Sequence, residues 1–192
     1  MELSTSVIAF LILLLAVGAL RIFELRVSRR HQERMISQGA SKVHEPHFRW
    51  IVIVHTGVLV GAAAEVVFLR RPFIPWLAAV MFTLFLASNA IRLWVVRTLG
   101  FRWSVQVMDA RQLGVVTTGP FRYVRHPNYA AVILEMISLP LIHTAWITAL
   151  VTSAAYSFAL TKRVIAEEAV LLANPEYRAA MGGKARFFPG LF

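Results

Sequence analysis

The stretch YAAVILEMISLPLIHTAWITALVTSAAYSFAL, Tyr129–Leu160, decides the fold. It is much longer than the roughly 20 residues with which one helix crosses a bilayer. Pro140, followed by His143 and Thr144, marks a break, because a proline inside a helix removes a backbone hydrogen bond. The run therefore reads as a helical hairpin, a short fourth helix followed by a fifth. Both of its mouths are ionisable. GPFRYVRHPNY (Gly119–Tyr129) leads in, and Arg163 with Glu167 and Glu168 leads out. Charged groups beside an apolar hairpin are costly, so they imply a structural or chemical task. Both mouths lie on the same side of the hairpin, so the fold can bring them together.

Working outward, Leu3–Leu20 carries no charge and reads as a first spanning helix. It does not resemble a cleaved leader, since it starts Met1-Glu2 and runs into Arg21 without a small-residue cleavage site. Trp50–Leu69 reads as the second span, ended by Arg70, Arg71 and Pro72, and Pro72–Ile91 as the third, with Trp76 and Trp94 placed as interfacial aromatics. The segment Arg21–Arg49 holds seven Lys and Arg residues, against only Arg70 and Arg71 between spans two and three. The Arg97–Arg125 segment and everything from Lys162 onward are basic again. The positive-inside rule then puts the amino terminus outside and the carboxyl terminus in the cytoplasm, the parity of five crossings. The fold class expected is an all-α integral membrane protein of about five transmembrane helices, with a cytoplasmic C-terminal helix. It forms one domain, 1–192, in which 1–100 supply three spans and 101–192 the cofactor-binding and catalytic part.

Composition agrees. The chain is 58% hydrophobic and 16% charged, with a mean hydropathy of +0.64, too little charge to cover a soluble domain of 192 residues. The net charge of +10 lies between apolar segments, which fits membrane lipids and orientation rather than nucleic acid. With no cysteine there is no disulfide, thiolate metal site or cysteine nucleophile. His44-Glu45-Pro46-His47 does not make a metal site, because the proline breaks the local helix and no further ligand is implied. Dinucleotide and nucleotide-triphosphate loops and a Gly-x-Ser-x-Gly elbow are absent.

Each polar candidate also has a plain reading. Arg125-His126-Pro127 alone could be a basic membrane anchor with a helix-start proline. His126 and Tyr129, three apart, share a helix face, and Gly119-Pro120 supplies a turn upstream. Glu135, about two turns into the fourth helix, needs a partner or a wet cavity, with Arg92 or Arg125 conceivable and Asn89 beside Arg92. Arg163 and Glu167, four apart, can form an ordinary helical pair, while Glu168 points about 100° away, so one acid can hold the arginine and the other face a ligand. Glu24 and Glu65 read as packing or orientation residues, His55 and His143 as satisfied histidines. Tyr177, Arg186 and Pro189 continue the polar tail.

As an ordered set, GPFRYVRHPNY, then Arg163 with Glu167-Glu168, then Tyr177 and Arg186 to Pro189, resembles the isoprenylcysteine carboxyl methyltransferase family and its phospholipid methyltransferase relatives. The resemblance implies an integral membrane methyltransferase using S-adenosylmethionine without a Rossmann domain. By position, Arg125, His126, Pro127, Tyr129 and Glu167 would contact the cofactor, and Arg163 and Glu168 would lie nearer the acceptor and the transferred methyl. The chain departs from the family at Ala131, where glycine is frequent, and at Ala180, where a second tyrosine often stands. Arg21 to Glu24, Ser28 to His31, Gly39-Ala40, His47 and His55 more loosely resemble a bacterial branch acting on alkylpyrones or alkylresorcinols. That implies a bacterial plasma membrane, and the charge bias puts the active site on its cytoplasmic side.

The implied reaction is O-methylation of a lipophilic or prenylated acceptor. Arg163 could orient an anionic acceptor through its guanidinium fork, and Glu168 could act as base toward a phenol. A phospholipid N-methyltransferase and a non-enzymatic membrane transporter or scaffold stay open as alternatives.

Overall fold

The computed structural model describes residues 3–45 and 48–190. It is mostly helical. In chain order the elements are α1 (Thr5–Ser37), β1 (Ser41–Lys42), α2 (Phe48–Phe68), α3 (Pro75–Leu99), β2 (Met108–Asp109), α4 (Pro127–Leu141), α5 (Trp146–Leu171) and α6 (Pro175–Met181). Among the described residues, three helices are long and apolar enough to cross a membrane: α1, α2 and the helix beginning at Pro75. On α3 the exposed Trp76 and Trp94 stand eighteen residues apart. At 1.5 Å per residue that is about 27 Å, close to the roughly 30 Å of a hydrocarbon core.

The hairpin breaks where the sequence places it. α4 ends at Leu141 with Pro140 in its last turn, and α5 starts at Trp146. Between them Thr144 takes a positive φ of 53° and its hydroxyl donates to the Pro72 carbonyl at 2.6 Å. Glu65 of α2 fixes the start of α5. Its carboxylate accepts the N–H groups of Ile147 (3.1 Å) and Thr148 (2.7 Å) and the Thr148 hydroxyl (2.7 Å), and pairs with Arg71 at 2.8 Å. Helix N-termini leave such donors without intrahelical partners, so an acid at this point both caps and orients the helix.

α4 is the central helix. It is only 15 residues long, and most of it is buried. Its chief packing is against α3, and α5 packs on both α2 and α4. Ala130 and Ala131 let the neighbouring backbones approach closely, as small residues do between membrane helices. A helix shielded from lipid on nearly every side carries polar groups more readily than a lipid-facing span. At about 22 Å it is also short for a full crossing.

Two expectations are revised. The first helix does not stop at Leu20 but continues to Ser37, so its 33 residues extend about 50 Å, well beyond a bilayer core. The extension has a task. Ser28 accepts the N–H of Val105 (3.0 Å), Gln32 donates to Ser104 (2.9 Å) and His31 donates to the carbonyl of Trp103 (2.9 Å). The loop after α3 is thereby held against α1. The second revision is a two-residue antiparallel ribbon, Ser41 opposite Asp109 and Lys42 opposite Met108, in a chain otherwise built of helices.

Candidate functional site

Glycine is required at the turn that begins the site. Gly119 has φ +57°, and a Cβ there would collide with the Thr98 side chain on α3. From this turn the chain passes through Arg125 and His126 into α4, with Pro127 at the first helical position, where no N–H is needed. The C-terminal tail lies alongside. The N–H of Arg125 donates to Ala185 O (2.9 Å) and that of His126 to Arg186 O (2.8 Å).

Glu168 joins these pieces. Its carboxylate accepts from Arg186 Nη2 at 2.8 Å and from His126 Nε2 at 3.1 Å, and forms an ion pair with Arg125, whose Nη1 is 3.1 Å away. The adjacent Glu167 faces a different direction. It accepts the hydroxyl proton of Tyr129, and His126 Nδ1 stands 3.9 Å away. The Tyr129 oxygen in turn accepts from Arg163 Nε at 2.7 Å. Arg163 is buried and further anchored by the Val105 carbonyl and by Glu45 at 3.6 Å. Tyr129 thus stands between Arg163 and Glu167, where the plain reading of their spacing was a direct helical pair. Its ring and that of Phe48 lie within 5.6 and 6.0 Å of the guanidinium carbon.

These residues line a cavity of about 420 Å³. Arg125, His126, Asn128, Tyr129, Arg163 and Glu167 all face it. Glu168 does not, being enclosed by Arg125, His126 and Arg186. On the loop side the wall is the segment Trp103 to Arg111, together with Asn174 and Tyr177. On the other side Ile22 and Leu25 of α1 and Val52 of α2 line it and are also exposed at the surface. Outside the spans, burial and the neighbouring Glu167 push the Tyr177 hydroxyl well above the ordinary tyrosine range.

A second charged group sits deeper in the wall. Arg21 donates to both oxygens of Glu135 (2.7 and 2.9 Å) and pairs with Glu24. Arg92 reaches Glu24 at 3.1 Å and Glu135 at 3.7 Å. Two arginines and two acids from three helices therefore neutralise one another in a buried place. Of the expected partners of Glu135, Arg92 is present and Arg125 is not, having gone to Glu168. Arg21 was missed, because nothing in a one-dimensional pattern brings residue 21 to residue 135. Asn89 is turned away, donating to Phe85 O at 2.9 Å.

Glu45 was also missed. It belongs to the His44–His47 stretch set aside as non-metal, and its carboxylate holds both Arg163 and the N–H of Val107. Pro46 and His47 lie outside the described residues. Among the described residues no group of three or more His, Asp or Glu could hold a metal ion. His143 sits near Phe10 and Phe73 with Nε2 3.2 Å from Ser6 Oγ, remote from the cavity lining.

The fold and site define a helical membrane protein whose largely apolar cavity carries a cluster of charged and hydrogen-bonding side chains. The chain belongs to the isoprenylcysteine carboxyl methyltransferase family, whose profile matches residues 79–173. That interval contains Arg125, His126, Pro127, Tyr129, Arg163, Glu167 and Glu168. A Bacillus subtilis (strain 168) protein described as uncharacterized protein YpbQ is 30% identical over 154 residues, covering 79% of this chain and 89% of the relative. An uncharacterized Haemophilus influenzae protein is 27% identical over 154 residues, covering 80% and 89%. Family membership implies a membrane methyltransferase.

Proposed function

We propose that the protein is an S-adenosylmethionine-dependent O-methyltransferase acting on a lipophilic acceptor from the cytoplasmic side of a bacterial plasma membrane. The observation that carries this reading is the shared cavity. One wall offers the Arg125–His126–Tyr129–Glu167 cluster, and another carries the exposed apolar side chains of Ile22, Leu25 and Val52 on α1 and α2, the side from which a lipid tail would enter.

The cavity suits a polar cofactor in size and chemistry. Ligand sites of this kind measure roughly 300–1,000 Å³. Asn128 Oδ1 and Arg125 Nε are buried without a hydrogen-bond partner, and both residues line the cavity. An orphan acceptor and an orphan donor suit the amino and carboxylate groups of an amino-acid moiety. Arg125, His126, Asn128, Tyr129 and Glu167 would hold the cofactor. When bound, it supplies an electrophilic methyl on a positively charged sulfur.

The chain's own contribution is positioning. Arg163 is fixed through Nε and Nη2, while its Nη1 has no partner among the described residues and remains for the acceptor oxygen. A guanidinium favours an oxygen acceptor over the amine of a phospholipid headgroup. Glu168 is a positioning residue, fixing Arg125, His126 and the tail around the cofactor. The apolar mouth admits a hydrocarbon tail while the loop over the site excludes water.

The test is calorimetric binding of S-adenosylhomocysteine to detergent-purified protein, with His126→Ala as control. Saturable binding that the substitution weakens supports the reading. A folded protein with no binding removes it and revives the transporter or scaffold alternative.

A further inference from the structure

Glu45 meets Arg163 from a part of the chain that the family motifs do not reach. It ends the strap linking α1 to α2, and its side chain is only 6% exposed. The strap lies along the loop that follows α3. Ser41 and Lys42 pair with Asp109 and Met108, and the N–H of Val43 donates to the carbonyl of Val107 at 3.1 Å. Glu45 then turns inward and uses both oxygens. Oε1 accepts the N–H of Val107, and Oε2 stands 3.6 Å from Arg163 Nε. Arg163 returns to the same loop two residues earlier, its Nη2 donating to the Val105 carbonyl. Arginine, loop and acid thus close a ring that joins α5, the loop and the strap. Nε and Nη2 share one edge of the planar guanidinium, so Glu45, Val105 and the Tyr129 hydroxyl, 2.7 Å from Nε, all hold that edge, and Nη1 lies on the other side. Glu45 is not among the residues lining the cavity, so what it does for the acceptor it does through Arg163. It also precedes the interval 79–173 of the family match.

We propose that Glu45 is a positioning residue, whose carboxylate sets the angle at which Arg163 presents Nη1 to the acceptor oxygen. This rests on the methyltransferase reading. An arginine side chain is long and rotamer-rich, and a hydrogen bond to one carbonyl leaves its plane free to pivot. A second tie, to a carboxylate itself fixed by a backbone N–H, removes that freedom. Glutamine separates the two tasks of Glu45. Its single carbonyl oxygen can keep the N–H of Val107, but its NH2 group then faces Arg163 as donor against donor.

The experiment builds Glu45→Gln in wild type and in Arg163→Ala, with Glu45→Asp as the conservative variant. Methyl transfer is followed with tritiated S-adenosylmethionine and two probes, 5-pentadecylresorcinol and N-acetyl-S-farnesylcysteine. With whichever probe wild type methylates, Glu45→Gln should lower kcat about 10- to 100-fold and leave S-adenosylhomocysteine affinity within about threefold. Glu45→Asp should keep more of the rate, and it is read in the same way if glutamine prevents folding. In Arg163→Ala the same substitution should change kcat by less than about twofold, because the residue it acts through is gone. A carboxylate that merely staples the loop would cost the same factor in both backgrounds. Proton–nitrogen NMR of protein labelled at arginine and valine needs no acceptor. A protected Nε–H resonance, assigned by its loss in Arg163→Ala, should exchange with solvent at least about tenfold faster in Glu45→Gln, while the Val107 amide stays protected. Overturning results are an undiminished kcat, equal losses in the two backgrounds, a loss of S-adenosylhomocysteine affinity matching the loss of rate, or an Arg163 Nε–H that Glu45→Gln leaves unchanged. If wild type methylates neither probe, the NMR result decides. Absence of S-adenosylhomocysteine binding by wild type would instead strike the methyltransferase reading itself.

Discussion

Replacing Glu168 with glutamine separates cofactor positioning from acceptor chemistry. The carboxylate holds Arg125, His126 and Arg186, whose side chains are 12%, 3% and 47% exposed. The exposed Arg186 contributes little, below about 1 kcal/mol, because water screens it. The loss falls on the two buried partners. Removing one member of a buried ionic group costs about 3–5 kcal/mol, and glutamine returns part of this through its remaining carbonyl oxygen. A net loss of about 2–3 kcal/mol is expected, in the range of hydrogen bonds to charged groups. If that loss appears as disorder of the Arg125–His126 segment, S-adenosylhomocysteine should bind about 30- to 150-fold more weakly. The assay is calorimetry on detergent-purified protein, with circular dichroism confirming an unchanged helix content. Wild-type affinity combined with a collapsed kcat would refute the reasoning, because Glu168 would then have to face the acceptor.

Other substitutions probe the remaining parts. Arg163→Ala should lower turnover at least about 100-fold while leaving S-adenosylhomocysteine affinity within a few fold, measured by steady-state kinetics beside calorimetry. Glu65→Gln should destabilise the protein by about 2–3 kcal/mol, since it leaves Arg71 and part of the α5 cap unpaired. A lowered melting temperature without altered KM would show this. Tyr177 binds its proton more tightly in the folded state than in the unfolded chain. Its stabilisation is complete below about pH 10 and is lost as pH rises beyond that. Thermal melts of Tyr177→Phe should therefore decline less steeply above pH 10 than those of wild type.

The hairpin was legible because its signals are local: a run too long for one span, a proline in it, and ionisable groups at both mouths. The ordered Arg-His-Pro and double-glutamate motifs were legible for the same reason, and they converge on one cavity. The length of α1 was not. Once the apolar stretch ends at Leu20, hydropathy gives no reason to continue, and only the loop seated on Ser28, His31 and Gln32 shows why the helix does. The Arg21–Glu24–Arg92–Glu135 cluster was half legible. Glu135 plainly needed a partner, but the choice between arginines depends on helix packing. Glu167 and Glu168 point apart as expected of neighbours on a helix. Which one faces the cavity could not be read from spacing, and the tail residue Arg186, by closing on Glu168, decides it.

The most direct test of the central claim is transfer of a tritiated methyl group from S-adenosylmethionine into solvent-extractable lipid. Membranes containing the protein would be compared with membranes containing His126→Ala. The expected result is oxygen-bound methyl label in the organic phase of wild-type membranes alone. Equal labelling by both membranes, or label confined to a lipid amine, would contradict the account.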